Sequence, residues 1–181
     1  RDRFASALTR FSYRSLFEFG QIQADPHPGN FLFHEDGRVV CLDFGCVRRL
    51  DTSFVDALRE MLVAIEGGDK ARFRAATLDL GMAPRPDRFD FEHHFQTMAH
   101  LHRPLIEPNF VFSPAFVRHG MELNGPTSPN ARAMNVPPAY VWVARLQWGL
   151  WSLLARLRSS ANLRLVFDSI MEGPHAACAE R

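Results

Sequence analysis

Apolar residues recur at helical spacing through most of the chain. Between about residues 2 and 19, Phe4, Leu8, Phe11 and Ser15 share a face, Leu16 and Phe19 extend it, and Gly20 is placed to cap the end. Phe54, Leu58, Met61, Leu62 and Ile65 predict a second helix that runs to Gly67-Gly68. Its start is marked by Ser53 with Asp56 as a capping box, with Asp51 as a competing cap. A further helix runs from Asp69, its cap, to about Leu80, with Phe73, Ala76 and Leu80 inward and Gly81 behind it. Pro84 and Pro86 break the chain, and Phe91, Phe95 and Met98 stripe a helix over roughly 87–102. Residues 103–112 read as an irregular apolar connector. Ser113-Pro114, a cap followed by proline, opens a short helix to about Leu123. A loop rich in Gly, Pro, Ser and Asn covers 125–138. Pro137-Pro138 launches the most apolar stretch, Ala139 to Leu157, and a last helix spans Ala161 to about Met171, with a frayed tail expected from Gly173.

The helical pattern is interrupted once. Phe31-Leu32-Phe33-His34, then Glu35-Asp36-Gly37-Arg38, then Val39-Val40-Cys41-Leu42 read as a β-hairpin with Asp-Gly in its turn. The predicted fold is therefore mainly α with one small β-hairpin. The hairpin is flanked by Gln23-Ala24-Asp25-Pro26-His27-Pro28-Gly29-Asn30 and by Leu42-Asp43-Phe44-Gly45. Its closure should bring Asp25, Asn30 and Asp43 to one end.

A carboxylate, an amide five residues on and a second carboxylate ahead of Phe-Gly form the polar set of phosphoryl transfer. Asp25 is the candidate catalytic residue, orienting an acceptor hydroxyl and taking its proton. Asn30 and Asp43 are the candidate metal and nucleotide-binding residues, offering hard oxygen ligands to Mg²⁺ on the phosphates of ATP. Mg²⁺ needs few protein carboxylates, so a small ligand set is adequate. Two prolines and a glycine stiffen the loop between Asp25 and Asn30. Within it His27 reads either as a brace for the loop or as a proton shuttle or phosphate contact.

Ala-Asp-Pro-His-Pro-Gly-Asn followed by Leu-Asp-Phe-Gly resembles the ABC1/ADCK/UbiB family of atypical protein-kinase-like proteins. The resemblance implies a kinase fold, binding of ATP with Mg²⁺, and a link to isoprenoid quinone (ubiquinone) or lipid metabolism. It carries the catalytic aspartate onto Asp25, the metal-binding asparagine onto Asn30 and the metal-binding aspartate onto Asp43. The family often has His two residues before the catalytic Asp; here Gln23 stands there, at a position that supports the loop rather than reacts. Residues 1–181 then read as the C-terminal lobe of a protein-kinase-like fold. Its parts are a catalytic loop at 23–30, the hairpin at 31–42, Asp-Phe-Gly at 43–45 and a helical remainder over 51–172. No glycine-rich phosphate loop precedes Asp25, and the only lysine, Lys70, lies downstream of Asp43. An N-terminal lobe is therefore expected outside this chain, and the isolated lobe is expected to be inactive. A helix predicted within about eight residues of Asp43, with no Ala-Pro-Glu, argues against a regulated protein-substrate kinase.

Composition narrows the rest. At 46% hydrophobic and 23% charged the chain is ordinary globular material, and a net charge of +1 with no basic run gives no reason to expect a nucleic-acid partner. Cys41, Cys46 and Cys178 lack metal-ligand spacing and read as free thiols of a reducing compartment, the cytoplasm. His93, His94, His100 and His102 lack the three- or four-residue intervals of a helical metal site, so exposed or capping histidines are expected. Arg145 and Gln147 sit inside the tryptophan-rich stretch, which favours a buried core helix over a membrane span. Peripheral contact with the inner membrane through that helix stays open. The expected partners are a nucleotide and a lipid or quinone-precursor ligand. Two rivals remain at this stage: a small-molecule phosphotransferase of the aminoglycoside or choline type, and a nucleotide-sensing pseudokinase scaffold.

Overall fold

The computed structural model describes residues 1–173; the expected frayed tail and Cys178 lie outside them, apart from Gly173 itself. Helix α1 (Asp2–Phe19) opens the chain, and Gly20 ends it in the left-handed conformation, φ 57°, with its N–H on the carbonyl of Ser15. Strand β1 (Gln21–Gln23) follows, then a 3₁₀ turn at Pro28–Asn30, β2 (Phe31–Phe33), β3 (Val39–Cys41) and β4 (Val47–Arg49). The helical remainder is α2 (Thr52–Gly67), α3 (Lys70–Asp79), α4 (Phe91–Ile106), α5 (Pro114–Leu123), α6 (Pro138–Leu157) and α7 (Leu163–Met171).

The expected hairpin is present, with Phe31 opposite Cys41 and Phe33 opposite Val39. A second antiparallel pair, β1 with β4, was not legible: Gln21 faces Arg49 and Gln23 faces Val47. The two sheets share no strand. Short strands rich in Gln and Arg carry no period-two apolar signal, so only the chain's return after Asp-Phe-Gly makes this ladder.

Burial turns α1 from its expected face, and packing carries α4 past its expected end. In α1 the buried residues are Ala5, Leu8, Thr9, Ser12, Tyr13, Leu16 and Phe17, while Phe19 is 61% exposed. In α4 the helix runs on to Ile106 with Pro104 buried inside it, so part of the expected connector is helical. A proline in a helix forfeits one backbone bond, and the apolar packing around Leu101 and Leu105 outweighs that loss here. The caps at Asp69, Asp90 and Ser113 each accept a backbone N–H from the first turn, whereas Asp51 sits at the α2 cap without such a bond.

The core gathers around Trp151 of α6, which is fully buried and donates Nε1–H to the carbonyl of Leu101 at 2.9 Å. Each side chain of this size contributes roughly 1.5–3 kcal/mol by leaving water. Arg59 of α2 is buried and donates to the carbonyls of Phe17 and Met171, at the C-terminal ends of α1 and α7. A cation there meets the negative ends of two helix dipoles. The histidines of α4 are not exposed caps. His94 and His102 are buried, and burial pushes both down to about 4. His93 and His100 are half-buried against the carbonyls of Leu123 and Phe116. Loop 125–138 is tied down: Asn130 is buried and exchanges two 2.8 Å hydrogen bonds with the backbone of Asp90.

Candidate active site

The site is assembled where β1 runs into the Pro-rich loop. The carboxylate of Asp25 accepts Asn30 Nδ2–H at 3.0 Å on Oδ2, and the same amide also donates to the Asp25 carbonyl at 3.0 Å. This closes the loop as a ring. His27 caps the 3₁₀ turn by accepting the Gly29 N–H on Nδ1 at 3.1 Å, so it braces the loop.

Gln23 stitches the two motifs together. It is 6% exposed, accepts the Asp25 N–H on Oε1 at 2.7 Å and donates Nε2–H to the Asp43 carbonyl at 3.1 Å. Two backbone bonds finish the seam, Ala24 N–H to the Cys46 carbonyl at 3.0 Å and Leu42 N–H to the Asn30 carbonyl at 2.8 Å. Thus Asp25 and Asn30 touch directly, while Asp43 joins them through the backbone and Gln23. The Asp43 carboxylate accepts its own loop's Gly45 N–H on Oδ1 at 2.6 Å.

Arg145 is the residue that motif spacing missed. It reaches from α6 to Asp25, with Nη2 donating to Oδ1 at 3.0 Å. Its sequence signal was a lone charge in the most apolar stretch of the chain, which calls for a partner. Arg145 first, then Asn30, holds the Asp25 carboxyl below its ordinary range, so Asp25 is a carboxylate acceptor rather than a proton donor. Helix α6 approaches this closely because position 149 is glycine. A Cβ there would lie 2.3 Å from Cγ of Pro26. Arg48 of β4 stacks over Trp142 of α6 at 4.6 Å, fixing the other side of the seam.

The polar atoms fit Mg²⁺ chemistry. Asn30 spends Nδ2 on Asp25, and no hydrogen bond within the described residues takes its Oδ1 or the Oδ2 of Asp43. One amide oxygen and one carboxylate oxygen suit a cation that completes its shell with phosphate and water. No group of three or more His, Cys, Asp or Glu side chains able to hold a metal occurs among the described residues. Lys70 lies elsewhere, bridging α3 to Glu92 of α4 at 2.8 Å.

Residues 1–77 match the ABC1 atypical kinase-like domain. Over these residues the chain is similar to that family. The uncharacterized protein slr0889 of Synechocystis is 38% identical over 80 residues, 44% of this chain and 20% of that protein. The mitochondrial atypical kinase COQ8B of Rattus norvegicus is 37% identical over 81 residues, 44% of this chain and 15% of that kinase. The solved complex of Rv3197 with erythromycin from Mycobacterium tuberculosis superposes with a TM-score of 0.78 at 18% identity, over 96% of this chain and 45% of that one. The structural likeness runs on through the helices beyond residue 77, and the chain is mainly α, the C-terminal lobe of a kinase-like fold with its small hairpin. It spans less than half the length of each of these relatives. No helix among the described residues is long and apolar enough to cross a membrane.

Proposed function

We propose that this chain is the catalytic lobe of an ATP- and Mg²⁺-dependent ABC1-type phosphotransferase or ATPase, completed by an N-terminal lobe. The observation that carries the reading is the Gln23 seam, which ties Asp25, clamped by Asn30, to the backbone of Asp43. Asn30 and Asp43 would hold Mg²⁺, which when bound neutralises charge on the nucleotide phosphates. Asp25 orients the acceptor, a hydroxyl or water, and takes its proton. The acceptor oxygen bonds to the γ-phosphorus, the bond from that phosphorus to the β–γ bridging oxygen breaks, and ADP leaves. The family resemblance supports a place in isoprenoid quinone or lipid metabolism, with peripheral membrane contact.

The test is calorimetric titration of Mg²⁺-ATP into this chain and into a form extended upstream, each with Asp43→Asn and Asp25→Ala. Binding confined to the extended form, lost in Asp43→Asn and retained without turnover in Asp25→Ala, is expected. Unchanged turnover in Asp43→Asn would sink the metal assignment.

A further inference from the structure

A groove of about 390 Å³ runs along the outer side of Asp25, between the Pro-rich loop and α6. Its walls are apolar at Pro26, Pro28 and Trp148, and its charged side chains are Asp25 at one end with Arg145 and Arg156 on the helix. Residues 145, 149, 152 and 156 fall on successive turns of α6, so this face of the helix is one continuous wall. The two arginines are eleven residues apart, about 16 Å along the helix axis. Arg156 is exposed and makes no hydrogen bond or ion pair within the described residues. Arg145 is held only by Asp25.

Both oxygens of the Asp25 carboxylate are taken, Oδ1 by Arg145 and Oδ2 by Asn30. Each oxygen keeps a second lone pair, so a hydroxyl can reach Asp25 from the groove without displacing either partner. Asn30 is locked by its second bond to the Asp25 backbone, whereas Arg145 is an exposed side chain with a single partner. Arg156 is then the groove's cation that an anion can pair with, and a neutral or cationic ligand gains nothing from it.

Resting on the phosphotransferase reading for its role, we infer that this groove is the acceptor site and that it selects a hydroxylated molecule with an apolar body and an anionic group. The apolar body lies against Trp148 and the prolines. The anion is taken by Arg156, about 16 Å along the helix from Arg145, which stays on Asp25.

Four probes of one chain length test this by calorimetry at low ionic strength, on the full chain and without nucleotide: octyl phosphate, octanoate, octan-1-ol and octyltrimethylammonium. The two anions are expected to bind at least about tenfold more tightly than octanol, as a charge-assisted hydrogen bond provides, and the cation not at all. The tighter anion identifies the head group. Arg156→Gln, at an exposed position that does not threaten folding, should weaken the anions by about tenfold and leave octanol unchanged. Equal affinity for octanol and octyl phosphate, anion affinity untouched by Arg156→Gln, or no anion binding would each overturn the inference. Because the readout needs no nucleotide, a failure of Mg²⁺-ATP binding removes the phosphotransferase reading and leaves the groove standing.

Discussion

At the scale of single residues, the site depends on side chains that do not react. Gln23 spends both ends of its amide on backbone groups of the two motifs. Gln23→Leu keeps the volume but leaves a buried N–H and a carbonyl unmet, and should lower stability by about 2 kcal/mol in urea unfolding. An unchanged midpoint would mean that water or a local shift replaces the amide. Arg145 acts on Asp25 chiefly through the hydrogen bond it donates, with its charge adding to the effect. Removing it as Arg145→Ala lets the Asp25 carboxyl rise toward its ordinary range. The base then protonates sooner as pH falls, so the acid limb of the turnover profile should move to higher pH. A limb that stays in place would assign it to another group. The sequence announced Asp25, Asn30 and Asp43 by their spacing. Arg145 was visible only as a charge with no stated partner, because that partner is 120 residues away.

At the scale of elements, α6 decides how the loop is presented. Gly149 lies in a helix interior, where alanine ordinarily gains up to about 1 kcal/mol over glycine. Here the added Cβ would lie 2.3 Å from Pro26, so Gly149→Ala should instead lose about 1–3 kcal/mol and lower the melting temperature. A gain in melting temperature would show that the loop yields freely, and that the close approach does not position Asp25. Local rules fixed the hairpin, the caps at Asp69 and Ser113, and the left-handed end at Gly20; they started α4 at about residue 87, whereas Asp90 caps it. They failed for β1 and β4, whose pairing partners are separated by the whole Pro-rich loop and hairpin. They also failed for the end of α4, where packing overrode Pro104.

At the scale of the whole molecule, the buried histidines make folding sensitive to acid. His94 and His102 are neutral in the fold, with values near 4 against 6.5 when unfolded. Between those values the unfolded chain binds the extra protons. Stability is therefore full above pH 6.5 and falls as pH drops toward 4, by at most on the order of 3 kcal/mol per histidine. Urea midpoints taken from pH 7.5 down to 4.5 should decline steadily. A flat series would mean that the histidines find solvent or a partner on protonation.

What the sequence determined by itself was local. Helical periodicity set six of the seven helices within a few residues, turn chemistry set the hairpin, and the spacing of Asp25, Asn30 and Asp43 set the chemistry on offer. These depend on φ/ψ preferences and on neighbours within a turn or two, which a sequence displays directly. The tertiary structure alone decided which face of α1 is buried, that four α4 histidines belong to the core and its margin, and that Arg145 and Gly149 meet the catalytic loop. Those outcomes follow from burial and charge pairing between segments far apart in the chain, where the stabilising contact exists only once the helices have packed.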